Sequence, residues 1–255
     1  MSDPRITNQS TTPTPNVNSQ LAGTGAARTP YATPSTLGVQ PDARLSAAFL
    51  TQAFLWMFVG LLVTAGVAFV VQANERLLEF AASNLFLLFI AQLALVFVIG
   101  LGINKISATV ALGLFFVYAA SLGVTIGLIV TAYTGASVVT AFLSASAMFG
   151  AAAIYGAVTK RNLSSLGGIL FMGLIGLIAA MVLNIFFQSE QLTWIISIIG
   201  VGIFTALTAY DVQRIQSGDL AAMTGSMEKA AVIGALHLYL DFINIFLFLL
   251  RIFGG

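Results

Sequence analysis

From residue 45 onward the chain consists of seven long apolar stretches, at about 47–71, 84–103, 109–132, 136–158, 165–187, 192–213 and 231–251, separated by short polar segments. Each is long enough to cross a hydrocarbon core, which takes about 20 helical residues. Lipid satisfies no backbone group, so only helices and closed barrels span it, and apolar runs of this length without two-residue alternation exclude a barrel. The pattern predicts an all-α membrane protein with seven transmembrane helices. Residues 1–44 read differently: they are rich in Thr, Ser, Pro, Asn and Gly, hold all six prolines and show no apolar periodicity. They are expected to form a disordered tail ahead of a transmembrane domain at 45–255. The tail has no apolar core of the kind a cleaved secretion signal needs, so the first stretch is expected to remain as a span.

Composition fixes the solvent: 58% of the 255 residues are hydrophobic and 7% charged, against about 25% charged in a soluble domain, and mean hydropathy is +0.98. A net charge of +1 leaves no basic footprint for nucleic acid. The absence of cysteine rules out disulfides, thiolate nucleophiles and cysteine-ligated metal. With one histidine and no phosphate-binding glycine loop before a lysine, zinc, haem and nucleotide sites have no support, and no cofactor is expected. Charge placement is more informative than charge total. With the tail cytoplasmic, one side carries Arg5, Arg28, Arg44, Lys105, Lys160, Arg161, Arg214 and Lys229, and the other only Arg76 and Arg251; Glu75, Glu79 and Glu190 fall in loops of that second side. This predicts an amino terminus inside and, with an odd number of spans, a carboxyl terminus outside.

Small residues recur within the spans, among them Gly123 and Gly127 in the third, Gly150 and Gly156 around the fourth, and Gly173 and Gly176 in the fifth. They are expected to permit close helix approach. Trp56, Trp194 and Tyr210 are expected to anchor the bundle or its interfaces.

Candidate chemistry gathers near the carboxyl end. A carboxylate at the centre of a bilayer costs roughly 2.5 to 3.5 kcal/mol on insertion scales, yet Asp211 lies in the sixth stretch and Asp241 in the seventh. His237, Asp241, Asn244 and Phe248 follow at spacings of four, three and four and share one helical stripe, which Arg251 continues. Counted from about residue 231, Asp241 lies about 15 Å along the helix, near mid-membrane. In the sixth stretch Thr205, Thr208 and Asp211 recur at every third residue. The short loop between them makes the two helices antiparallel neighbours, so the carboxylates are expected to approach one another. Two carboxylates in one low-dielectric site do not both ionise cheaply, so the pair should share a proton and titrate as a unit, which is a pH sensor. Deprotonated, Asp211 and Asp241 suit a hard cation such as calcium, held weakly and transiently because the ligand set is sparse. The alternative is an interhelical hydrogen bond that only locks the bundle.

Ala235 to Arg251, reading Ala-Leu-His-Leu-Tyr-Leu-Asp-Phe-Ile-Asn-Ile-Phe-Leu-Phe-Leu-Leu-Arg, resembles the carboxyl-terminal signature of the Bax inhibitor family, also called the transmembrane Bax inhibitor motif family. Tyr210-Asp211-Val212-Gln213 resembles its tyrosine-aspartate motif before the last helix, and Thr159-Lys160-Arg161-Asn162-Leu163-Ser164-Ser165-Leu166-Gly167 the loop entering its fifth helix. The resemblance runs in order over residues 45–255. It implies six helices surrounding a central carboxyl-terminal helix, and a pH-sensitive calcium leak, not an enzyme, governed by a pair of aspartates. By motif position these are Asp211 and Asp241.

The chain departs from the family pattern at three places. Bacterial relatives carry an arginine at the cytoplasmic end of the second helix that latches onto the first aspartate; here Asn104 and Lys105 stand there. Lys105 is either a weaker latch or a topology determinant. His237 stands where relatives often carry a small polar or acidic residue. One turn before Asp241, a protonated imidazole would stabilise the carboxylate and tune the response toward neutral pH, and a plain partnered polar residue is the other reading. Asn162 replaces an acidic residue in the loop, with little expected consequence.

Two further readings remain from other classes. One is a non-conducting protein that binds membrane quality-control machinery or a membrane protease, with the tail as docking element. The other is an intramembrane aspartyl protease, which also places aspartates in its sixth and seventh helices. That chemistry is written Gly-x-Gly-Asp with a proline downstream, whereas Asp241 follows Leu238-Tyr239-Leu240 and no proline follows. Membrane lipid and calcium are the expected partners. The uncleaved tail, short loops and likeness to bacterial members point to a bacterial inner membrane.

Overall fold

The structure, a computed structural model, describes residues 43–254, with side chains from residue 47. The tail expected at 1–44 thus lies outside the described residues, except for its last two, which open the first helix. Nine α-helices follow in order among the described residues, with no strand: α1 (Ala43–Gln72), α2 (Glu75–Ser83), α3 (Leu85–Gly102), α4 (Ala108–Val130), α5 (Gly135–Val158), α6 (Gly167–Phe187), α7 (Glu190–Gln216), α8 (Asp219–Thr224) and α9 (Met227–Phe253). A short 3-10 turn at Ser164–Leu166 leads into α6.

Seven of these, α1, α3, α4, α5, α6, α7 and α9, are long and apolar enough to cross a membrane. They are the seven stretches of the sequence, with ends moved by four residues at most. The short α2 and α8 have no counterpart in the apolar pattern. Glu75 and Glu79 lie on α2 and Glu190 opens α7, where the sequence pattern suggested loops. Asn74 makes α2 a helix: its side-chain oxygen accepts from the backbone N–H of Arg76 at 3.0 Å and of Leu77 at 3.3 Å. Ser226 does the same for α9 by accepting from Lys229 N–H, and Glu228 adds negative charge to the first turn. The last span therefore begins at Met227, ahead of its first long apolar run.

A span that is buried on nearly every side belongs inside the bundle, and α9 is that helix. Seventeen of its 27 residues are buried, whereas α6 buries only Leu177 and α3 only Gln92 and Ile99. The other six spans surround it: α1, α4, α5 and α7 pack directly on α9, α3 leans on α4, and α6 leans on α7. Near the middle of α9 the fully buried Tyr239 stands edge-on to Phe115, with ring centroids 5.4 Å apart, and to Tyr118 at 5.9 Å. Its hydroxyl is 2.6 Å from Thr64 Oγ1, which also lies 3.0 Å from the Gly60 carbonyl and 2.9 Å from the Ala119 carbonyl. Thr64 has one proton and gives it to the carbonyls, so Tyr239 is the donor between the two hydroxyls. This knot joins α1, α4 and α9.

Glycines bring the helices close at selected points only. A Cβ at Gly123 or Gly127 would meet the α1 backbone at Thr64 and Ala68, and one at Gly156 would overlap the backbone of Ala209 on α7. Gly150 and Gly176 face open space and Gly173 makes ordinary contact with Ile203, so those three do not serve close approach. Trp56 packs edge-on to Phe116 at 6.1 Å. Gly156→Ala is expected to force α5 from α7 and lower stability in detergent by about 1–3 kcal/mol, with Gly150→Ala close to neutral. Equal thermal unfolding of the two variants would contradict the close contact.

Candidate functional site

The α7–α9 pair runs antiparallel, joined through α8, and its facing residues can be read off in register. Gly200 admits the Phe248 ring where a Cβ would overlap it, and Phe204 lies against the same ring with centroids 6.0 Å apart. Further along, Thr208 lies one turn before Asp211 on α7, and Asp241 one turn beyond His237 on α9. Asp211 Oδ1 lies 3.5 Å from His237 Nδ1. Asp241 is 3% exposed and Asp211 7%, and Asp241 stands at the middle of the 27-residue helix.

The expected pairings need one correction. His237 stood in the sequence as a partner for Asp241, one turn away on its own helix, but it faces Asp211 across the seam. The antiparallel register sets residue 211 beside 237 and leaves Asp241 one turn deeper, beside Thr208. Lys105, the candidate latch, is exposed and forms no ion pair among the described residues. The helix it follows, α3, packs on α4 and α2. Among the described residues, the basic side chain that lies against Asp211 is that of His237. Asn244 is half-buried, and its side-chain amide donates to the Leu240 carbonyl at 2.8 Å.

Buried polar atoms in folded proteins are nearly always hydrogen-bonded. Thr205 Oγ1, His237 Nδ1 and Asp241 Oδ2 are buried without a hydrogen-bond partner among the described residues, and all three lie on α7 or α9. The 3.5 Å approach of His237 to Asp211 is long for a hydrogen bond. His237, Leu240, Asn244 and Leu247 are only partly buried, so one stripe of α9 stays open beside these atoms.

Comparison with known proteins places this seam in context. The family described as "Inhibitor of apoptosis-promoting Bax1" matches residues 46–255, nearly all of the described chain. The chain belongs to the Bax inhibitor family. It is 46% identical over 223 residues to the inner membrane protein YbhL of Escherichia coli (strain K12), covering 85% of this chain and 95% of that one. An uncharacterized protein of Deinococcus radiodurans is 44% identical over 205 residues, covering 80% and 89%. Another, from Borreliella burgdorferi, is 41% identical over 211 residues, covering 81% and 91%.

Two stretches that carry the Bax inhibitor resemblance, far apart in sequence, interlock in space. Gln213 of the tyrosine-aspartate segment accepts from Leu163 N–H at 2.7 Å and donates through Nε2 to the Arg161 carbonyl at 2.8 Å, clamping the α5–α6 loop to α7. Leu163 is buried with Ala152 and Ala209, and a Cβ at Gly167 would press on the Tyr210 ring. The sequence reading gave Gln213 no role of its own; a glutamine amid an apolar helix was the available signal. Gln213→Ala removes both hydrogen bonds and is expected to cost about 2 kcal/mol. Trypsin should then cut faster after Lys160 and Arg161, and an unchanged rate would mean that the clamp does not hold the loop.

Proposed function

We propose that the chain is a pH-sensitive calcium leak of a bacterial inner membrane, gated by Asp211 and Asp241, with the amino terminus cytoplasmic and the carboxyl terminus outside. The observation that carries this reading is the α7–α9 seam itself: two buried acids, Asp211 against His237 and Asp241 one turn further along, a carboxylate oxygen without a hydrogen-bond partner among the described residues, and a partly open stripe that carries His237 and Asn244. Intramembrane acids of this kind mark ion and proton paths. Family membership and the likeness to an inner membrane protein support the compartment.

In the closed state a proton shared across the seam links the two helices. A protonated His237 would neutralise Asp211 in place of the arginine latch of bacterial relatives. A pH change that breaks these contacts lets α7 part from α9 and admits a cation to Asp241. Two carboxylates, with the oxygens of Thr205 and Asn244 further along, suit a cation in passage. No cluster of three His, Cys, Asp or Glu side chains occurs among the described residues, which fits a weak and transient site. No catalytic role is proposed for the pair.

Calcium flux into dye-loaded proteoliposomes across pH 5 to 8 tests the gate. Asp241→Asn and Asp211→Asn are expected to flatten the pH dependence; a titration curve for Asp241→Asn that overlays the native one rejects the pair as sensor. No flux at any pH from folded protein would favour the interaction-protein reading. For orientation, the cysteine-free chain offers exposed positions for single cysteines at Ser165, in the α5–α6 loop, and Ala132, in the α4–α5 turn. In intact cells a membrane-impermeant maleimide should label Ala132→Cys and spare Ser165→Cys, and the opposite pattern would invert the topology.

A further inference from the structure

Where α5 ends, α6 begins and α7 ends, a cavity of about 180 Å³ opens to the surface, lined by residues that include Lys160, Arg161, Asn162, Ser164, Tyr210 and Arg214. Three cationic side chains converge there and no carboxylate lines it. None of the three forms an ion pair among the described residues. Arg214 Nη2 donates to Met223 Sδ at 2.8 Å, a neutral acceptor that leaves the guanidinium charge uncompensated. Asn162 Oδ1 is taken by the Ser164 N–H at 2.9 Å, which leaves the amide NH2 free to donate, beside the hydroxyls of Ser164 and Tyr210. The lining is a set of donors and positive charges, the chemistry that receives a phosphate group.

Topology alone does not require such a site. An isolated, exposed lysine such as Lys105 meets the rule that one membrane face be positive. Here the Gln213 clamp shapes the loop in advance and holds Lys160 and Arg161 beside Arg214. The level in the bundle is that of lipid headgroups, because Val158 is the last residue of α5 and Gly167 the first of α6. Next to the cavity, Val158, Leu166 and Ile169 present exposed apolar side chains, at 69%, 41% and 68% exposure. A cationic pocket above an apolar wall matches a phosphate group carried on acyl chains.

We propose that this cavity binds the phosphate of an anionic phospholipid headgroup, with the acyl chains lying along Val158, Leu166 and Ile169. The site is separate from the α7–α9 seam, and its occupancy does not depend on the leak reading. Native mass spectrometry of the full chain in detergent, titrated with phosphatidylglycerol, phosphatidylcholine or inorganic phosphate, tests it. Phosphatidylglycerol is expected to be retained in preference to phosphatidylcholine. Retention should weaken about fivefold for each of Lys160→Gln, Arg161→Gln and Arg214→Gln, and Arg76→Gln, outside the pocket, should leave it unchanged. Because Arg161 is exposed in a loop, Arg161→Gln reads the site even if a triple variant does not fold. Undiminished phosphatidylglycerol binding by Arg161→Gln and Lys160→Gln, or equal retention of phosphatidylcholine, would overturn the proposal. Displacement of the lipid by millimolar inorganic phosphate would keep a phosphate site and overturn the lipid as its source.

Discussion

Hydrocarbon offers no hydrogen-bond partner to a polar side chain, so a span that carries His237, Tyr239, Asp241 and Asn244 must be taken out of lipid by other helices. The position of α9 at the centre follows from that constraint. The spans that touch it bring what a polar centre needs: Thr64 from α1 for the Tyr239 hydroxyl, and Asp211 from α7 beside His237. The spans that do not, α3 and α6, bury almost nothing of their own and present their apolar surface to lipid.

The two sides of α9 treat this constraint differently. Toward α1 and α4, Tyr239 is enclosed by aromatic rings and its hydroxyl is fully used in the Thr64 knot. A satisfied buried network of this sort rigidifies a core. Toward α7, close packing at Gly200 and Phe248 gives way to a long His237–Asp211 contact and a carboxylate oxygen with no hydrogen-bond partner among the described residues. The same helix therefore has a locked face and a face held by groups whose charge depends on protons.

The segments that identify the Bax inhibitor family are also mechanically joined. Gln213 ties the α5–α6 loop to the helix that carries Asp211, and Gly156 seats α5 against the same helix at Ala209. α7 thus works as a shared strut, held by the loop on one side and facing the central helix on the other. The basic residues of that loop serve more than topology once the clamp gathers them.

Long apolar runs determined the seven spans, because length and hydropathy alone decide what can cross a bilayer. The 3.6-residue repeat likewise set Asp241 at mid-span and placed His237, Asp241 and Asn244 on one stripe, and the two acids stood out because charges are costly there. The short helices α2 and α8 escaped that reading, since neither has an apolar run and caps such as Asn74 act locally. Which glycines meet backbone, which residue faces Asp211, and how Gln213 holds a loop fifty residues away were decided by the tertiary structure alone. Each depends on the register and rotation of one helix against another, and those follow from side-chain packing across interfaces that sequence spacing along a single helix does not specify.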